Sequence, residues 1–218
     1  MTAVFSVSSL CRRLCSRLAL VGFLGMGAAL FPAGADAAPL ALADLLDSKT
    51  DYTADFYVQT AGRGSYAGTV IHAPGRERRE FDTKQGHQVL LLRRDIDEAS
   101  IAWPERKWYV KSDFTSLSQL IGGFDGVMLE ASKTGSETIA REACTRYDVK
   151  NPNFKGKIWL TRDNILMRAS GMVHFQGRDM QVDLGLRALQ RIKSDPSAFV
   201  LPSDYVGVPL NLSKLGLQ

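Results

Sequence analysis

Cysteine is scarce in this chain, with 3 among 218 residues. Cys11 and Cys15 stand within the first 37 positions, so only Cys144 lies beyond them. An internal disulfide is therefore excluded once that leading segment is removed, and stability has to come from packing. Cys144 reads as a small buried apolar residue rather than a reactive thiol. Histidine is scarce too. His72, His87 and His174 are scattered, and none belongs to an H-x-x-x-H pair, so a helical zinc site has no support. In Gly64-Ser65-Tyr66-Ala67-Gly68 the serine is misplaced for a nucleophile elbow. No phosphate-binding glycine loop, haem-attachment motif or calcium loop is present. Asp95, Asp97 and Glu98 lie beside Arg93 and Arg94 and read as a solvated loop of mixed charge rather than an acid–base pair. The expectation is a protein that is not an enzyme and uses no metal and no cofactor.

Long apolar runs are missing as well, except at residues 18–31. Arg12, Arg13 and Arg17 precede that run, and Ala33-Gly34-Ala35 and Ala35-Asp36-Ala37 follow it. A charged start, an apolar stretch of roughly 7–15 residues and a small-x-small site together define a Sec-type signal peptide. The run is shorter than the roughly 20 residues that cross a bilayer, so it does not read as an anchor. The segment 1–37 is expected to be cleaved after Ala37, with Ala35 the near alternative. The rest of the chain is expected outside the cytoplasm, with no membrane span after cleavage. Removing Arg12, Arg13, Arg17 and Asp36 takes the 27 basic and 23 acidic residues to 24 and 22, a net charge of +2. That balance gives no reason to expect nucleic acid or an anionic membrane surface as partner.

What fills the remaining length is strand pattern. Residues 54–59 alternate Ala, Phe, Val against Asp, Tyr, Gln. Residues 65–72, the charged run 76–82, the apolar run 89–92, and the hairpin 99–103 with 108–110 follow, each bounded by Gly, Pro or Asn turns. Later candidates are 137–141, 144–150, 157–161, 165–170, 172–176 and 180–186. Two short amphipathic helices interrupt them. One, at 39–47, carries Leu42, Leu45 and Leu46; the other, at 113–123, carries Leu117, Leu120 and Ile121 and is capped by Ser112 or Asp113. Residues 195–199 read as a helical turn. Many short strands with frequent turns predict a sandwich, a barrel or a strongly curved sheet. Helices across one face of such a sheet would enclose an apolar space of the kind ligands occupy.

Several ordered motifs resemble the LolA/LolB-like superfamily of bacterial lipoprotein carriers, nearest to its uncharacterised DUF4412-like exported members. They are Tyr52-Thr53-Ala54-Asp55-Phe56, the segment ASIAWPERKWYVK at 99–111, Gly135-Ser136-Glu137-Thr138-Ile139-Ala140 and Cys144-Thr145-Arg146-Tyr147-Asp148-Val149. Lys157-Ile158-Trp159-Leu160-Thr161, Asp195-Pro196 with Phe199, and Pro202 with Tyr205 complete the set. Arg141-Glu142 stand where the family usually has a glycine.

The resemblance implies one mainly β (α+β) domain over 38–210, followed by a C-terminal tail at 211–218. The domain would be a curved antiparallel sheet, a half-open β-barrel, with short helices as a lid over a hydrophobic cavity. The implied role is non-enzymatic binding of lipid or of the acyl chains of a lipidated protein. Phe56, Leu91, Ile101, Trp103, Trp108, Val110 and Trp159 are the expected cavity residues, and Leu117, Leu120 and Ile121 the expected lid contacts. The alternative is a protein-interaction or sensor domain of an envelope regulator. That reading would have an envelope protein as partner, met by a strand edge or by the charged stripe at residues 76–79.

Overall fold

The computed structural model describes residues 38–62, 64–116, 128–175 and 177–208. The signal-peptide reading and the lid contacts Leu117, Leu120 and Ile121 lie outside the described residues. Within them the chain forms one large sheet that does not close. Its strands are β1 (Ala38–Ala41), β2 (Tyr52–Thr60), β3 (Gly64–Ala73), β4 (Arg76–Thr83), β5 (Gly86–Arg93), β6 (Glu98–Trp103) and β7 (Trp108–Ser112). Then follow β8 (Met128–Ile139), β9 (Glu142–Asn151), β10 (Phe154–Thr161), β11 (Leu166–Phe175), β12 (Arg178–Gln190) and β13 (Val206–Gly207). Their order across the sheet is β1-β8-β9-β10-β11-β12-β2-β3-β4-β5-β6-β7-β13. Every pairing is antiparallel except β13 with β7. This is the curved antiparallel sheet, open between its edges, that the resemblance implies, and one of the three forms that the strand pattern leaves open.

Four local readings change. The strand expected at 137–141 runs instead over Met128–Ile139, with Ala140 and Arg141 in the turn that follows. The helix expected over 39–47 is shorter, because residues 38–41 pair with β8 and leave only α1 (Leu42–Leu46) as helix. The break expected at Gly171 does not occur, and residues 166–175 run as one strand. Gly171 faces Gly156 across the β10–β11 ladder. A Cβ on Gly171 would run into the Lys155 carbonyl oxygen and lie 2.6 Å from the Gly156 Cα, so the two backbones approach as only glycines allow. The terminal strand β13 carries no sequence signal of its own, since its partner β7 is nearly a hundred positions away. The helical turn after β7 does begin where expected, with the Ser116 backbone N–H donating to Asp113 Oδ1 at 2.5 Å.

Strand alternation gives the sheet an inner and an outer face. On the inner face, Val182, Gly171, Gly156, Val149 and Ala131 form one cross-strand row, and Val58, Leu184, Ala169 and Ile158 form the next. α1 packs its Leu45 against Leu129, Ile158 and their neighbours. The outer face of the β5–β7 region carries Val89, Leu91 and Ala102, covered by Tyr109, Leu201 and Tyr205. The C-terminal segment thus seals that side, and Arg78 Nη1 donates to the Ala198 carbonyl across it. No helix of the described residues is long and apolar enough to cross a membrane.

Candidate functional site

Between the inner face and α1 lies a cleft of about 420 Å³. Its walls come from register. Phe56 and Val58 of β2, Leu184 and Leu186 of β12, Ala169 and Val173 of β11, and Phe154 and Ile158 of β10 all point to one side. Leu42 and Leu45 of α1 close it from above, and Leu90, Leu92 and Phe114 extend it towards β5. Five of the lining residues, Phe154, Ile158, Ala169, Val173 and Val182, surround the opposed pair Gly156 and Gly171.

Charge enters this cleft at one end only. In Glu77-Arg78-Arg79-Glu80 of β4, alternation sends Glu77 and Arg79 inward and Arg78 and Glu80 outward, and each pair forms its own ion pair. Arg79 Nε donates to Glu77 Oε1 at 2.7 Å, and Arg78 Nε donates to Glu80 Oε1 at 2.6 Å. Glu77 is almost fully buried, with its side chain 3% exposed. His72, opposite it on β3, is fully buried. His72 Nε2 lies 2.9 Å from the Ser48 carbonyl, which can only accept, so that nitrogen carries a hydrogen. Its Nδ1 lies 3.5 Å from Glu77 Oε2. Burial alone would raise the Glu77 pKa, but the Arg79 guanidinium and His72 outweigh it and hold the carboxyl at about 2.

Two aromatic residues frame this end. The Tyr52 ring stacks on His72 at 4.7 Å, and the Arg79 guanidinium lies 5.2 Å over the Phe56 ring. Burial, together with the nearby Glu77 charge, pushes the Tyr52 hydroxyl pKa up, so Tyr52 stays neutral. Arg94 lies 5.2 Å over Phe114 and reaches Asp47 Oδ1 at 3.5 Å. The far end carries the uncharged amides Asn151 and Asn153, with His174.

The sequence-predicted cavity residues are distributed as follows. Phe56 lines the cleft. Ile101 and Val110 share an inner-face row with Leu90, beyond the lining. Trp103 and Trp108 face each other across the β6–β7 hairpin, rings stacked at 5.0 Å, with Arg106 over Trp108. Leu91 points outward and borders a smaller hollow of about 250 Å³ under Phe199, Val200 and Leu201. Trp159 neighbours Ile158 on the opposite face, donates through Nε1 to Glu137 at 2.8 Å and is covered by Arg168. Leu90, Leu92, Leu184, Glu77 and Arg79 escape the sequence reading. In Val89-Leu90-Leu91-Leu92 every position is apolar, and in Glu77 to Glu80 every position is charged, so neither run shows which residues face in. Cys144 is buried, and burial raises its pKa, in keeping with an inert thiol. Among the described residues no group of three metal-ligating side chains comes together.

No family model and no curated protein matches this chain. Solved structures do resemble it. An uncharacterised conserved protein from Thermus thermophilus is 14% identical with a TM-score of 0.51, over 74% of this chain and 91% of that one. The MucA/MucB complex of Pseudomonas aeruginosa contains a chain 12% identical with a TM-score of 0.47, over 76% of this chain and 62% of that one. This protein therefore spans less than two thirds of that chain. A LolA superfamily protein from Nitrosomonas europaea is 9% identical with a TM-score of 0.36, over 70% of this chain and 90% of that one. At 14% identity and a TM-score of 0.51, the likeness to the Thermus thermophilus protein is one of fold alone.

Proposed function

We propose that this protein is a non-enzymatic binding protein of the bacterial periplasm that shelters an acyl chain, of a lipid or of a lipidated protein, in the inner-face cleft. The supporting observation is the cleft itself: a concave surface of Leu, Val and Phe side chains that a sheet of this curvature leaves under α1. Each methylene moved from water into such a surface contributes about 0.8 kcal/mol. A soluble carrier needs that gain and no covalent chemistry. The Leu184→Trp variant fills the middle of the cleft from a half-buried wall position. It is expected to bind a fluorescent fatty acid at least tenfold more weakly than the parent, about 1.4 kcal/mol, with an unchanged far-UV circular dichroism spectrum. A folded variant of unaltered affinity would place the ligand elsewhere.

The second reading is a protein-interaction domain of an envelope regulator, with an envelope protein as partner. Its support is the sheet edge at β13, where Val206 is 64% exposed and nearby Val200 59%. An edge strand with exposed apolar side chains is a template for pairing with another chain. The charged stripe of the sequence reading supports it less, because Glu77 and Arg79 turn inward.

A further inference from the structure

Resting on the acyl-chain reading, we infer that the cleft takes one single-chain amphiphile with an anionic head, its head held by Arg79 and Arg94 and its tail directed towards Phe154 and Val173. Size argues for one chain. A methylene occupies about the volume of a water molecule, roughly 30 Å³, so a cleft of about 420 Å³ is matched in size by one chain of about fourteen carbons.

Charge argues for the head. Two guanidinium groups and one carboxylate line the cleft, all at the β4–β5 end, and Arg94 also has Asp47 at 3.5 Å. The Glu77 carboxylate is engaged by Arg79 Nε at 2.7 Å and faces the buried His72. Arg79 uses Nε in that pair, and its guanidinium carbon lies 5.2 Å from the Phe56 ring centroid; its terminal nitrogens form a flat fork of N–H donors. Such a fork matches the paired oxygens of a carboxylate or phosphate. The opposite end offers only neutral amides and a histidine, so the two ends of the cleft differ as the two ends of a fatty acid or lysophospholipid do.

Calorimetric titration of the delipidated protein tests this with palmitate, lysophosphatidylglycerol, hexadecanol and a synthetic triacyl lipopeptide. The expected result is one equivalent of palmitate or lysophosphatidylglycerol bound at least tenfold more tightly than hexadecanol. Whichever of the two anions binds more tightly identifies the head as carboxylate or phosphate. Arg79→Gln should remove the preference over hexadecanol. Because that change strands Glu77, the double variant Glu77→Gln/Arg79→Gln and the single variant Arg94→Gln are measured beside it. Equal affinity for palmitate and hexadecanol, or a preference untouched in all three variants, would overturn the assignment of the head while leaving the acyl cleft standing. Binding of the triacyl lipopeptide alone would overturn the single-chain assignment. Binding of none of the four would overturn both this inference and the reading it rests on.

Discussion

Arg79→Leu is expected to lower the stability of the fold by about 3–5 kcal/mol at pH 7, the range for breaking one side of a buried ion pair. The cost falls on Glu77, whose carboxylate would remain buried beside His72 without the guanidinium that offsets its desolvation. The dependence on pH has a definite sign. In the parent, the Glu77 pKa is lowered from 4.5 to about 2 on folding. The stabilisation is therefore complete above about pH 5 and is lost as the pH falls towards 2. A shift of this size corresponds to about 3 kcal/mol. In Arg79→Leu the largest influence left on Glu77 is desolvation, which raises its pKa, so that contribution reverses: the variant gains stability as the pH falls to about 4.5, while the parent loses it between about pH 5 and 2. Urea denaturation at pH 7, 5 and 3 reads this as curves that converge. Parallel curves would show that the pair carries no net interaction. Glu77→Gln/Arg79→Gln, which removes both charges, should flatten the acid limb with a smaller loss at neutral pH.

The second large effect is expected at Gly171. Gly171→Val puts a branched side chain where a Cβ already collides with the Lys155 carbonyl oxygen and meets the Gly156 Cα at 2.6 Å. These are backbone atoms, and no rotamer relieves them. The loss should reach at least about 3 kcal/mol, the upper end of overpacking costs, read by urea denaturation or as failure to accumulate soluble protein. Gly156→Val should behave alike, since its Cβ would collide with the Ser170 carbonyl oxygen. Near-parental stability in either variant would mean that the β10–β11 ladder opens easily, and that the opposed glycines do not set the floor of the cleft.

These two sites also show what can and cannot be read from sequence. Where polar and apolar residues alternate, as at Ala54 to Gln59, a strand and its facing are both legible. Turn chemistry places most hairpins within a residue or two. Phase is lost in uniform runs. Leu91 stands in a run of leucines, and pairing with Arg78 and Ser100 turns it outward while Leu90 and Leu92 turn in. Trp159 has the size of a cavity residue, yet its register sets it opposite Ile158. Gly171 reads as a break because a strand glycine usually weakens pairing, and only its partner Gly156 explains it. β1 and β13 are edge strands whose partners lie far along the chain, so no local pattern announces them. The open curved sheet itself is legible through the family resemblance.

The most direct test of the central claim is native mass spectrometry of the protein purified from the cells that make it, with organic extraction of whatever it carries. A discrete added mass that extracts as lipid, and that is lost in Leu184→Trp, is the predicted result. A protein of unmodified mass that also takes up none of the added palmitate, lysophosphatidylglycerol or lipopeptide would contradict the acyl-chain reading. It would leave the cleft as a packing defect under α1 and move the weight to the exposed edge at β13.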